Sequence, residues 1–418
     1  MPKFHQQTKH SYMSVRKNAT FLDWNSQPKN HKLYPHFNQR FKIEDYEELK
    51  DLNLIGAITY EKKYPNEIYH LRSVPSAGGL YPCEVYIQIR GIKGLLDGLY
   101  HYEPHIASLT LLQEIGNDGV EYYFEDNAKQ KGLIFLISSI YFRSSWKYKD
   151  RSIRYILLDS GHLLGATYAA LCVMGKESEF VFNFDKTALN KVCGFRDDEM
   201  FTSAIRSAQK IDKEVKKLRQ NLPFVSGCDY LESNEFIENA YKESVHYEED
   251  DFKPLDFFSA IPKEQLKQAI LNRRSIRAFR QQKMSDDEFE FIIKDIFEFA
   301  ISHNIDIFFT SHLVEGKTQG LYKNGKLLKE GDFREKSKYL SLEQNLGGQS
   351  GATFYFTSND VGKYQKVNIL SGFIAQIIYL RCEILKIACS GIGAYYDDES
   401  KEFLNTKNNI LYLLAVGR

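Results

Sequence analysis

Cysteine is sparse in this chain and carries no pattern. The six in 418 residues (Cys83, Cys172, Cys193, Cys228, Cys382, Cys389) form no C-x-x-C pair and no metal-like cluster with histidine. That argues against a disulfide scaffold and against structural zinc. Three of the six fall in apolar, helix-like segments, where a buried thiol is the usual occupant. No metal is expected, and the compartment expected is a reducing cytoplasm. Excess charge is also missing: the formal net charge is zero and the pI about 7.2. Nothing in that balance draws the chain to nucleic acid or to an anionic membrane surface. There is no unbroken run of eighteen apolar residues, which argues against a transmembrane helix, and Met1 to His10 is too polar for a signal peptide. Only two tryptophans occur, yet 27 Tyr and 29 Phe bring the aromatic share to 14%, enough to line a flat ligand or to fill cores.

What is present begins with length. The 418 residues, 43% of them hydrophobic, supply material for two cores. An internal repeat agrees with that division. Ile92-Lys93-Gly94-Leu95-Leu96-Asp97-Gly98-Leu99-Tyr100 matches Val314-Glu315-Gly316-Lys317-Thr318-Gln319-Gly320-Leu321-Tyr322 in spacing, with both glycines, the leucine and the tyrosine identical. Each copy follows a strand-like run, Glu84 to Ile89 and Ile305 to Thr310. Further along, Ser160-Gly161 and Ser371-Gly372 each read as the opening of a helix, and Phe184-Asp185 and Tyr396-Asp397 follow those helices. Three landmarks in one order suggest duplication. The units expected are 1–210 and 262–418, joined by 211–261, within which Glu232 to Asp251 carries eight acidic residues and one lysine. Strand runs at Leu133 to Ile140, Ala352 to Phe356 and Ile410 to Val416 mix with longer amphipathic stretches, an α+β pattern without doubly wound alternation.

Four segments can carry chemistry. Arg273-Arg274-Ser275-Ile276-Arg277 concentrates forked, permanently charged donors suited to a phosphate or a planar anion; a solvated basic turn has the same composition. Pro75-Ser76-Ala77-Gly78-Gly79 precedes a strand, and its small residues let backbone N–H groups approach a flat ligand, or simply make a tight turn. Gly391-Ile392-Gly393 is a second glycine-bracketed approach. The nearby Asp397-Asp398-Glu399 reads better as the acidic start of a helix than as a metal site. Lys147-Tyr148, in a stretch crowded with bases and aromatics, could supply acid and base if the site shifts their pKa values, although adjacent residues point in different directions.

Together these segments resemble the nitroreductase superfamily. Arg273-Arg274-Ser275-Ile276-Arg277-Ala278-Phe279 is similar to its opening motif. Pro75-Ser76-Ala77-Gly78-Gly79-Leu80-Tyr81-Pro82 with Gly98-Leu99-Tyr100-His101-Tyr102 resembles the SagB-type dehydrogenase branch, which includes azoline oxidases. Thr8-Lys9-His10, Leu22-Asp23-Trp24 and Tyr34-Pro35 look like the opening of fused two-unit members. The resemblance implies an α+β intrachain pseudo-dimer of two tandem nitroreductase-like units, with FMN at the seam. It implies that Arg273 and Ser275 grip phosphate, that Arg274 belongs to the same cofactor-binding motif, and that Arg277 faces N1 and O2 of the ring. Pro75, Ser76, Ala77 and Gly78 would cover the isoalloxazine, Gly391, Ile392 and Gly393 would approach N5, and Arg418 would add a phosphate contact. Lys147 and Tyr148 match the pair linked to substrate deprotonation in azoline oxidases.

The first half has Arg16-Lys17-Asn18 where Arg-Arg-Ser would stand, and the second half lacks a Pro-Ser-Ala-Gly turn. One FMN per chain is therefore expected, with the twin site degraded. The function expected is FMN-dependent oxidation of an azoline-like peptide or small-molecule substrate. The alternatives are an NAD(P)H-dependent nitro, quinone or enone reductase and a non-catalytic flavin-binding scaffold. No nucleic-acid or membrane partner is expected, and further oligomerisation is left open.

Overall fold

The computed structural model describes residues 2–17, 22–64, 68–245 and 251–418. Asn18, from the Arg16-Lys17-Asn18 stretch, and 246–250, from the acidic connector, lie outside the described residues. Fifteen strands occur among them. In the first half they are β1 Arg40–Lys42, β2 Ile58–Lys63, β3 Ile68–Arg72, β4 Cys83–Arg90, β5 Gly98–Glu103, β6 Ser108–Glu114, β7 Ala128–Ile140, β8 Glu179–Val181 and β9 Glu199–Glu214. In the second half they are β10 Asp306–Ser311, β11 Gly320–Lys323, β12 Lys326–Glu330, β13 Ala352–Ser358, β14 Ala388–Ile392 and β15 Asn409–Gly417.

The main sheets run β1-β6-β5-β4-β7-β9-β8 and β12-β11-β10-β13-β15-β14; β2 and β3 form a separate hairpin. Apart from the added edge strand β1, the two orders superpose element by element, and every pairing is antiparallel. The chain is thus an α+β protein of two tandem units. The sequence repeat falls at equivalent places: Gly98 opens β5 and Gly320 opens β11. The hydroxyls of Tyr100 and Tyr322 even donate to matching carbonyls, those of Leu96 and Thr318. The central strands β4, β13 and β15 are buried along their whole length, and β13 and β15 accordingly read as near-continuous apolar runs.

Two helices, Ser152–Met174 and Tyr364–Ile384, cross at the centre. By length and composition both are apolar enough to cross a membrane, which counting unbroken apolar runs does not reveal; 94% and 89% of their apolar windows are buried inside the protein. A helix apolar on all sides belongs in a core, and here the two bury each other. Ser160-Gly161 and Ser371-Gly372 do not open these helices, as the sequence suggested, but lie within them. A Cβ on Gly161 would fall 1.9 Å from the Ile369 carbonyl oxygen, and one on Gly372 would fall 2.2 Å from that of Leu158. The glycines let the backbones touch reciprocally. Ser-Gly here marks a crossing, not a cap.

The third landmark follows each central helix, and in both halves it also opens a further short helix. Asp185 caps the Lys186–Val192 helix through Ala188 N, and Asp397 begins the Asp397–Phe403 helix. Asp397 is buried and accepts from Arg151 (2.8 Å) and Arg154 (2.6 Å), while the same arginines donate to the backbone of Thr8 and His5. The N-terminal segment is thereby stitched to both halves.

Candidate active site

The crossing helices leave a cleft on one side, walled by both units. From the first unit come Pro75, Ser76, Ala77 and Gly78, with Tyr148, Asp159 and His162; from the second come Ser275, Arg277, Tyr379, Gly391, Ile392 and Gly393. A groove of about 900 Å³ adjoins it, of the size small-molecule sites have. Arg273, Arg274, Lys62, Arg72, Trp24 and Tyr69 are on its walls, and no carboxylate lines it among the described residues.

The Pro-Ser-Ala-Gly turn needs its glycines. Gly78 and Gly79 have φ of +66° and +70°, a region costly for other residues. A Cβ on Gly78 would meet Tyr148 Oη at 2.6 Å and Lys147 Nζ at 3.4 Å. Although adjacent on the Phe142–Tyr148 helix, both reactive groups therefore converge on the turn. Lys147 Nζ also faces the Trp24 ring at 4.9 Å. Burial, and then the Arg277 charge, lower the Lys147 pKa, the direction a proton acceptor needs; burial raises that of Tyr148, which stays a neutral phenol.

The arginine segment follows the Lys263–Asn272 helix in extended backbone. Arg273 is buried, its guanidinium donating to the carbonyls of Ser73 and Arg72 (3.2 Å for the latter) and so bolting the second unit to the first. Arg274 donates to the carbonyls of Leu271, Arg273 and Thr59. Arg277 is exposed on the cleft wall, and its guanidinium forms no ion pair with the described residues. Arg418 stands apart from the cleft: its guanidinium pairs with Glu288, whose carboxylate also closes the capping box of the Asp286–Ile293 helix. A basic residue after the last strand suggested a phosphate contact, but a neighbouring carboxylate holds it.

Tyr379, buried on the second central helix, accepts from Gly391 N at 2.7 Å and shares a hydrogen bond with Ser275 Oγ at 2.9 Å, in which either hydroxyl can donate. Ser275 Oγ also accepts from Arg273 Nη1 at 3.5 Å. Gly391 is required there, since a Cβ would lie 1.8 Å from Tyr412 Oη. Two further groups went unnoticed in the sequence. Asp159 accepts from Ser76 Oγ (2.5 Å) and Ala77 N (3.2 Å); burial pushes its carboxyl up to about 7 against those two bonds. Burial pushes the His162 imidazole down to about 3. Kept neutral, it donates through Nδ1 to Gln376 Oε1 (3.3 Å) and accepts at Nε2 from Tyr412 (3.0 Å). The only signal either offered was a polar residue within a long apolar helix.

The arrangement offers Arg277, a cation with no ion pair among the described residues, with serine hydroxyls, glycine backbones close to the space, and a lysine–tyrosine pair at its edge. The cradle that the glycines open and this donor set fit a flat ring with a phosphorylated tail.

No family model matches the chain. A crystal structure of a protein of Anabaena variabilis, described as a nitroreductase, superposes with a TM-score of 0.81 over 99% of this chain and 98% of that one, at 22% identity. The chain has the nitroreductase fold. A Methanocaldococcus jannaschii protein named as a nitroreductase is 29% identical over 110 residues, 25% of this chain; the match spans about half (54%) of that relative. The Escherichia coli microcin synthetase complex with its truncated pro-peptide aligns over 51% of this chain and 88% of its own at a TM-score of 0.32 and 14% identity, too low to carry an argument. Within the nitroreductase fold, the cleft lies between the two units, and residues of both line it.

Proposed function

We propose that the chain is an oxidoreductase that binds one FMN in this cleft, and within that class a SagB-type dehydrogenase acting on an azoline-like peptide. One observation carries the reading: Ser275 and Arg277 of the second unit and Pro75 to Gly78 of the first wall a single cavity, with Lys147 and Tyr148 on the turn. FMN, when bound, supplies two-electron redox chemistry. Ser275 and Arg277 would hold it, with Arg273 and Arg274 on the groove beside them. The bulk of Pro75 to Gly78 would keep water from one face. Arg277 supplies positive charge where negative charge must be tolerated. Lys147 takes the substrate proton at Nζ, its own pKa being lowered, and Tyr148 orients the substrate as a neutral donor.

The first test is the visible spectrum of purified protein, with a flavin:protein ratio near one; colourless protein that takes up no added FMN would end the reading. The second is Lys147→Ala. Flavin reduction by substrate should fall by about 100-fold or more with FMN still bound. Unchanged reduction would remove Lys147 from the chemistry.

The open groove beside the cleft favours a second reading, in which NAD(P)H enters over the flavin and a nitro, quinone or enone acceptor follows. The names of the two nitroreductase relatives agree with it. Anaerobic bleaching of bound FMN by NADPH in a stopped-flow experiment separates the readings.

A further inference from the structure

Ser76 has one hydrogen to give, and Asp159 takes it. The serine oxygen accepts from Tyr81 N at 2.9 Å and stands 2.5 Å from Asp159 Oδ2, while Asp159 Oδ1 accepts from Ala77 N. With the carboxylate ionised, Ser76 must donate to it and has nothing left for a ligand in the cleft. With the carboxyl protonated, the donor between them reverses, and the serine hydrogen is released towards the cavity that both residues line. Ser275, on the opposite wall, is hydrogen-bonded to Tyr379 and not to this carboxylate.

We propose that Asp159 takes up a proton from solvent when a ring bearing hydrogen-bond acceptors enters the cleft, so that Ser76 becomes a donor to that ring. The inference rests on the FMN reading above, with the isoalloxazine as the ring. Asp159 is then a positioning residue acting through Ser76. It is 6% exposed and forms no salt bridge among the described residues, so a proton is the means at hand of neutralising it.

The groups facing it are few in charge. The turn presents Ser76 and Ala77, and the start of β4 presents Cys83, with Tyr81 before it; all are neutral. Across the cavity stand Tyr148 and, on β15, Tyr412, both phenols. Tyr155 and His162 share its helix, the latter neutral. The cations on these walls are Arg277 and, behind the turn, Arg72. Burial holds the Asp159 carboxyl up to about 7, so the exchange falls in the neutral range. Below that range the carboxyl is already protonated and ligand affinity is flat. Above it, affinity falls as pH rises, by up to about tenfold per pH unit.

The experiment adds FMN to unbuffered, flavin-free full chain, follows binding by flavin fluorescence, and counts protons with a pH-stat. At pH 8 wild type should take up about one proton per FMN more than Asp159→Asn; at pH 5.5 the difference should vanish. Subtracting the variant removes the titration of the phosphate itself. The asparagine amide can donate to Ser76 permanently, so this variant should bind FMN with nearly pH-independent affinity. Ser76→Ala, which keeps the carboxylate, should lose the pH 8 uptake and bind more weakly at pH 5.5. Equal proton counts in all three proteins, with FMN bound, would overturn the inference and leave the cofactor reading standing. Failure of wild type to bind FMN at any pH would overturn both.

Discussion

The chain offset that carries Gly161 to Gly372 also carries Tyr168 to Tyr379, and the two phenols keep opposite company. Tyr379 bonds to Ser275 and Gly391 on the wall of an open, polar cleft. Tyr168 bonds to Leu255 O (3.0 Å) and Phe257 N (3.1 Å), and its ring stacks on Phe258. Around it Phe252, Phe257, Phe180, Phe182, Phe299 and Phe373 pack ring against ring. The same offset sets Leu370 opposite Asp159 and Phe373 opposite His162, so the polar groups of one side face hydrocarbon counterparts on the other. Rings from the connector thus pack around Tyr168 where its counterpart Tyr379 borders open space. That packing agrees with the proposal of one flavin per chain, since the second half lacks a covering turn and hydrocarbon surrounds Tyr168.

Five substitutions probe that contrast. Phe257→Ala should cost about 3–5 kcal/mol in denaturant unfolding, because a fully enclosed ring is removed. Its flavin:protein ratio should stay near one; a rise towards two would break the comparison. Gly161→Ala and Gly372→Ala should each cost about 1–3 kcal/mol or more, and by similar amounts, since each adds a methyl against the other helix's carbonyl. Unequal losses would show that the crossing is less symmetric than its contacts. Tyr379→Phe and Tyr168→Phe should each cost about 1–3 kcal/mol through an unpaired neighbour. Only the former should also weaken FMN retention in dialysis.

The last effect is one of pH. Asp159 keeps its proton to about 7 when folded but releases it near 4 when unfolded, so its contribution to stability is present below that interval and declines as pH rises through it. Asp159→Asn should therefore raise the unfolding free energy by about 4 kcal/mol at pH 8 relative to its effect at pH 4. Chemical denaturation at the two pH values measures it.

The sequence disclosed what depends on local chemistry. Turns needing positive φ announced themselves through Gly78 and Gly79, strands through runs such as Glu84 to Ile89, and the repeat through Gly98 and Tyr100. Hidden from it was whatever depends on partners distant along the chain. Asp159 and His162 look like flaws in an apolar helix until the turn and β15 are brought against them. Arg418 looks like an anion ligand until Glu288 is found beside it. Ser-Gly looked like a helix opening because caps and close crossings favour the same small residues, and only the opposing backbone tells them apart.

The reciprocal glycine contact has a consequence for how the molecule can come apart. Each central helix buries a backbone surface that the other alone is shaped to cover, so neither unit offers a finished exterior by itself. A protease nick in the connector should leave both fragments joined through a hydrocarbon seam, running as one particle on a sizing column and separating only on a denaturing gel.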